Sequence, residues 1–201
     1  MLNLKKKKFG LNALLRRFRA NTKGVAAVEF AFIVPILITM SMGVSEVWFR
    51  YSASDQFTRY IFQVGDLLAR ETELETSDIT LLHSRASTMM QEVETHQLIE
   101  INVASIGFKQ SDGTPVTLWT RSVGGNVITF DPTEATGMAL SSNAILRVEG
   151  RFQYRSPFAL ILPQLTSATR RAVYFKPRET RALAIDGNVA EQNTNWDDAN
   201  E

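Results

Sequence analysis

Cysteine is absent from the 201 residues, which excludes disulfides, thiolate metal sites and a cysteine nucleophile. That absence is silent about compartment. Histidine is nearly absent too: His83 and His96 stand thirteen residues apart with Glu92 and Glu94 between them, a spacing that fits no HExxH-type zinc site. Both read as surface residues of a helix. The chain lacks a Walker loop, a G-x-S-x-G elbow, a dinucleotide fingerprint and any internal repeat. No catalytic, cofactor-binding or metal site is expected and the chain is not expected to be an enzyme, an exported hydrolase with scattered residues ranking third among the readings.

The next shortage is of one charge sign. Residues 1–23 hold eight basic side chains (Lys5, Lys6, Lys7, Lys8, Arg16, Arg17, Arg19, Lys23) and no acidic one. From Gly24 onward fourteen basic residues face twenty-one acidic ones, a formal −7 hidden beneath a whole-chain value of +1. A basic arm can mark nucleic-acid binding, but no nucleic-acid module accompanies this one, so no nucleic-acid partner is expected. The length suits one ordinary domain, or a smaller domain with an anchor.

The anchor follows the arm directly. Val25 to Val47 reads VAAVEFAFIVPILITMSMGVSEV, charged only at Glu29 and Glu46. As a helix, 23 residues rise about 34 Å, enough for a hydrocarbon core of about 30 Å. Trp48 and Arg50 supply an interfacial aromatic and a charge at the far boundary, and Pro35 is tolerated in such a helix. The competing reading, a cleaved secretory signal with small residues at Ser41 and Gly43, meets an apolar stretch longer than the usual core of about 7–15 residues. The positive-inside rule leaves residues 1–24 cytoplasmic and exports the rest, a single pass through the lipid bilayer.

Glu29 is the informative residue of this span. An acidic side chain deep in a membrane helix costs about 2.5–3.5 kcal/mol on insertion scales, so it asks for a partner unless it lies in the headgroup region. Lys23-Gly24-Val25-Ala26-Ala27-Val28-Glu29-Phe30 resembles the processing site of type IV prepilins, where a prepilin peptidase cuts after glycine and leaves glutamate fifth, often before an aromatic. Cutting between Gly24 and Val25 would create an α-amino group, with a pKa near 8, at the positive end of a helix dipole. Glu29 then stands one turn away and could pair with its own amine or a neighbour's, either of which lowers the cost of burying both charges. The resemblance implies the second choice, with Glu29 and Phe30 registering adjacent subunits.

Arg16 to Phe49 resembles more narrowly the start of TadE-like proteins, pseudopilins of the tight-adherence (Flp, type IVb) pilus system: Gly24, Ala26, Ala27, Val28, Glu29, Phe30, Ala31, Pro35, Gly43 and Glu46 match in order. A weaker likeness near the other end involves Tyr154, Pro157, Pro177 and Arg178. The major pilin of such systems is little more than one helix, whereas cleavage here would leave 177 residues. TadG-like relatives usually lack the glutamate. The resemblance thus implies a minor pilin or pseudopilin of TadE or TadF type in a bacterial inner membrane, its carboxy-terminal domain periplasmic or carried into an extracellular pilus. Implied partners are a prepilin peptidase, other pilin-like subunits including the major pilin, and the inner-membrane assembly platform. The alternative is a membrane-anchored exported binding or sensor domain unrelated to pili.

Beyond the membrane, Phe57, Tyr60, Ile61, Val64, Leu67 and Leu68 recur at helical spacing, opposite Asp55, Arg59, Gln63, Asp66 and Arg70. The first helix is therefore expected to continue to about Arg70. The Gly65-Asp66 pair is also found in aspartyl prepilin peptidases, but those enzymes have many spans and this chain has one. A second helix is predicted from Asp78 to His96, capped by Ser77, with Ile79, Leu82, Ala86, Met89 and Val93 as its stripe. Strands follow at Ile99–Val103, Val116–Arg121, Leu146–Arg155 and Arg171–Lys176, with turns at Asp112-Gly113 and Gly124-Gly125. Leu146, Val148, Phe152 and Tyr154 alternate with Arg147, Glu149, Arg151, Gln153 and Arg155, the pattern of a half-buried strand. The fold class expected is α+β and pilin-like: a long helix, half transmembrane and half amphipathic, packed with a second helix on an antiparallel sheet. The organisation is a leader at 1–24, a transmembrane helix at 25–47, an exported domain at 48–178 and, at 179–201, a polar tail whose composition suits disorder.

Overall fold

A 44-residue helix, α1 (Val25–Leu68), opens the computed structural model, which describes residues 24–90, 99–141, 143–158, 167–192 and 196. The chain forms two compact units, Met1–Val47 and Trp48–Glu201. In the first, the described residues belong almost wholly to α1. Pro35 sits inside the helix without ending it, and the Thr39 hydroxyl donates to the Pro35 carbonyl at 2.8 Å. That bond satisfies a polar side chain within its own helix, as an apolar surrounding requires.

In the second unit the rest of α1 is amphipathic for the reason its spacing suggests. Phe57, Tyr60, Ile61, Val64 and Leu68 are buried, while Asp55–Arg59 and Asp66–Arg70 pair along the outer face at 2.9 and 2.6 Å. Leu67, expected in the stripe, is 43% exposed because it sits about 80° round the helix from Phe57. The buried face lies on a four-stranded antiparallel sheet built from β2 (Ile99–Phe108), β3 (Pro115–Val123), β4 (Ala144–Tyr154) and β5 (Ser167–Phe175), in the order β3-β2-β4-β5. Val148 pairs with Val103 on one side and Val173 on the other. The α+β expectation, with a long apolar helix and an antiparallel sheet, holds.

Two glycines let helix and sheet approach. A Cβ at Gly150 of β4 would stand 2.2 Å from Ile61 Cδ1 and 2.7 Å from Phe57 Cζ, and one at Gly65 of α1 would enter the Phe175 ring. Phe57 stacks on Phe152, centroids 5.5 Å apart. Gly65-Asp66 is thus a packing notch next to a surface acid that pairs with Arg70 and Arg178.

Three expectations need correction. The second helix is shorter and differently capped: α2 spans Thr76–Ser84 with Glu75 as its cap, and the Asp78 carboxylate accepts the Glu75 N–H at 2.9 Å. Ser77 lies inside it, its hydroxyl donating to Glu75. A one-turn helix, α3 (Ala86–Met89), follows a break at Arg85, and Val93 and His96 lie outside the described residues. Ile79 and Ala86 are buried as the stripe required.

Secondly, β4 is half-buried only from Arg151 onward. From Ala144 to Gly150 both faces are covered, because a 3-10 turn at Pro132–Ala135 and Phe130 fold over Ile106, Phe108 and Ile145 on the side away from α1. Finally, the supposed polar tail enters the core. Leu183, Ile185 and Trp196 are buried, β6 (Ala184–Ile185) pairs in parallel with β1 (Glu73–Leu74), and the Trp119 indole N–H donates to the Leu183 carbonyl at 2.7 Å. The average polarity of residues 179–201 concealed a four-residue apolar run, Ala182 to Ile185.

Candidate functional site

Gly24 immediately precedes α1 and is exposed, with no atom within 4 Å of where its Cβ would be. Val25 is the first α-helical residue and 54% exposed. Glu29, one turn further on, shares Val25's side of the helix at a rise of about 6 Å and is exposed, as is Phe30. The four residues singled out by the sequence are therefore brought together at the start of one helix.

The surroundings of that start are apolar all round. Between Val25 and Val47, eleven large hydrophobic side chains are 51–74% exposed, and an 18-residue window of α1 has a mean hydropathy of 2.1 with none of it buried. One described helix is thus long and apolar enough to cross a membrane. Full burial of such side chains is worth about 1.5–3 kcal/mol each, so half-exposed they still represent on the order of 10–20 kcal/mol of transfer free energy. That exceeds the roughly 2.5–3.5 kcal/mol charged against a central carboxylate. One carboxylate at Glu29 is therefore small against the apolar surface of the helix that carries it. Glu46, near the far end of this stretch, is buried.

Two polar clusters in the second unit escaped the sequence reading. On β4, Glu149 is fully buried between Arg147 and Arg170, and the Arg147 guanidinium lies 4.3 Å from the Phe130 ring centroid and 5.9 Å from that of Tyr174. Opposite charges at positions i and i+2 of a strand share a face, and that was the available signal. At the other edge, Arg121 of β3 donates to both oxygens of Glu191, at 2.7 and 2.8 Å, and to Asp186 at 3.2 Å. The hydrogen bonds from Arg121 hold the Glu191 carboxyl below its usual range. Those from Thr76, aided by Arg121, do the same for Asp186. Both clusters fasten chain segments together.

His83 contacts the Ile99 carbonyl through Nε2 at 2.8 Å and sits against Gly124, whose positive φ opens the turn there. Among the described residues no three His, Cys, Asp or Glu side chains converge as a metal site would need. The chain matches no family model, curated protein or solved structure to a significant degree.

Proposed function

We propose that this chain is a minor pilin or pseudopilin of the TadE-like type, inserted with its basic arm in the cytoplasm, cut after Gly24 by a prepilin peptidase, and packed through residues 25–47 against other pilin-like helices. The observation that carries the reading is the register: Glu29 stands fifth in a helix that begins at Val25, on a surface apolar all round. Removal of the arm would place a cationic amine one turn from that carboxylate, where pairing with a neighbouring subunit lowers the burial cost of both charges. The role is structural, in assembling a tight-adherence pilus on the inner-membrane platform.

Intact-mass analysis of the membrane-extracted protein, from cells holding the cognate peptidase, is expected to give a chain starting at Val25. An uncut chain would sink the pilin reading and leave a membrane-anchored exported domain. Glu29→Ala should still insert and be cut, yet reach the assembled pilus poorly when fractions are compared by immunoblot. Normal incorporation of that variant would refute the pairing step alone.

A further inference from the structure

We propose that the β4–β5 corner at Pro157 and Phe158, with the collar formed by Trp48, Phe49 and Tyr51, is a membrane-contact platform. It rests in the lipid headgroup region, so that the sheet as well as the helix touches the bilayer. This inference rests on the helix being a membrane anchor and is independent of the pilus assignment.

The collar comes first. Trp48, Phe49 and Tyr51 occupy successive directions about 60–100° apart, so together they cover close to half the circumference of α1. They are 57%, 37% and 74% exposed. A soluble domain gains nothing from three large aromatics in water, whereas the boundary of a bilayer favours amphipathic rings. Trp48 also follows directly on the span, so any membrane that holds residues 25–47 places the collar at its edge.

The sheet then joins the same level. The Phe158 ring lies 6.3 Å from that of Phe49, which in turn packs edge-on against Trp48 at 5.2 Å. Phe158 therefore sits within about one helical turn of the depth of Phe49. The corner is held in place: the Phe158 N–H donates to Ser156 Oγ at 3.0 Å, and Ser156 and Tyr154 beside it are buried. Pro157 is exposed.

Charge favours lipid over a protein partner as the occupant. Arg50 and Arg155 stand in the sequence beside these aromatics, although the chain beyond the arm is net acidic. Glu46 is buried, Asp55 is paired with Arg59 and Arg151 with Glu100. Basic residues beside aromatics suit a surface of anionic headgroups. The opposite end of the sheet supplies the contrast. Because β2 runs antiparallel to β4, the turn after Phe108 lies about 30 Å from the end at Phe152.

The absence of cysteine makes the test direct. Full-length Pro157→Cys, Phe158→Cys, Trp48→Cys and Ser111→Cys chains would each carry a nitroxide in vesicles of phosphatidylethanolamine and phosphatidylglycerol. Collision with oxygen is then compared with collision with a water-soluble nickel chelate. Labels at 48, 157 and 158 are expected to favour oxygen several-fold more than the label at 111. If 157 and 158 behave like 111 while 48 still favours oxygen, the platform is wrong and the anchor stands. If 48 also behaves like 111, the anchor is wrong and the platform falls with it.

Discussion

The two parts of α1 share one secondary structure and differ in what surrounds them. From Val25 to Val47 the helix carries large apolar side chains on every side, and eleven of them are more than half exposed. From Ala53 to Leu68 it has one buried apolar stripe that the sheet covers, with two acid–base pairs and the exposed Phe62 and Leu67 on the rest. Helical propensity is indifferent to this distinction; the distribution of apolar residues around the axis decides it. A stripe specifies a protein neighbour of a particular shape, and Gly150 and Gly65 are cut to that shape. An all-round apolar surface specifies only a solvent, so it constrains insertion strongly and packing weakly.

The same substitution in each part should break that symmetry most visibly. Phe57→Ala removes a fully buried ring stacked on Phe152 and is expected to destabilise the second unit by about 3–5 kcal/mol. Phe32→Ala removes a ring that is 74% exposed and should shift domain stability by less than about 0.5 kcal/mol. Urea unfolding in detergent, followed by near-ultraviolet circular dichroism of the buried Trp119, measures both. Comparable losses would mean that residues 25–47 are packed into the domain, against the comparison drawn here.

The contrast also explains which parts of the molecule could be read from sequence. The stripe from Phe57 to Leu68 is legible because burial on one face imposes a period. β2 and β4 are legible because Ile99, Ile101 and Val103, and Leu146, Val148, Phe152 and Tyr154, alternate in the sequence, although both faces of these strands are largely covered. Arg147 and Glu149 read as a wet face because a charged residue in a strand usually is one; here the turn around Pro132 brings cover that no local pattern announces. Leu183 and Ile185 were missed because β6 is two residues long and its partner, β1, is more than a hundred residues away. Such pairing has no local signature. The cap passed from Ser77 to Glu75 because the reciprocal Asp78 bond, rather than the residue type alone, chose the start. At the candidate site the sequence carried nearly everything: Gly24 and Glu29 matter through their register, and the structure adds that Val25 begins the helix.

A subtler test adds matter instead of removing it. Gly150→Ala pushes a methyl group into Ile61 and Phe57 and is expected to cost about 1–3 kcal/mol by overpacking. Gly43→Ala meets no atom within 4 Å, and since alanine is the better helix former by about 1 kcal/mol, it should leave the domain unchanged and the helix no weaker. Ile61→Val, which removes the clashing methyl, should be less harmful in the Gly150→Ala background than alone. A double-mutant cycle with no coupling would show that the glycine is not there for the helix.

The smallest effect sharpens the comparison through pH. Tyr60 is buried against the sheet, its hydroxyl donates to the Leu82 carbonyl at 3.1 Å, and burial pushes its phenol well above the ordinary range. Tyr51, on the collar, is 74% exposed. A raised folded-state value means that the folded chain holds this proton more tightly than the unfolded one. Its contribution is therefore complete below the unfolded value of about 10 and is lost progressively as pH rises above it. Stability should accordingly fall in alkali beyond the general trend. Tyr60→Phe should lose about 1 kcal/mol at neutral pH, for the hydrogen bond, and flatten that alkaline fall, while Tyr51→Phe does neither. Unfolding midpoints measured from pH 7 to 11 on the three proteins decide the point. An equal flattening by Tyr51→Phe would mean that the collar, too, is buried in protein, and the division between stripe and all-round surface would have to be moved toward the amino terminus.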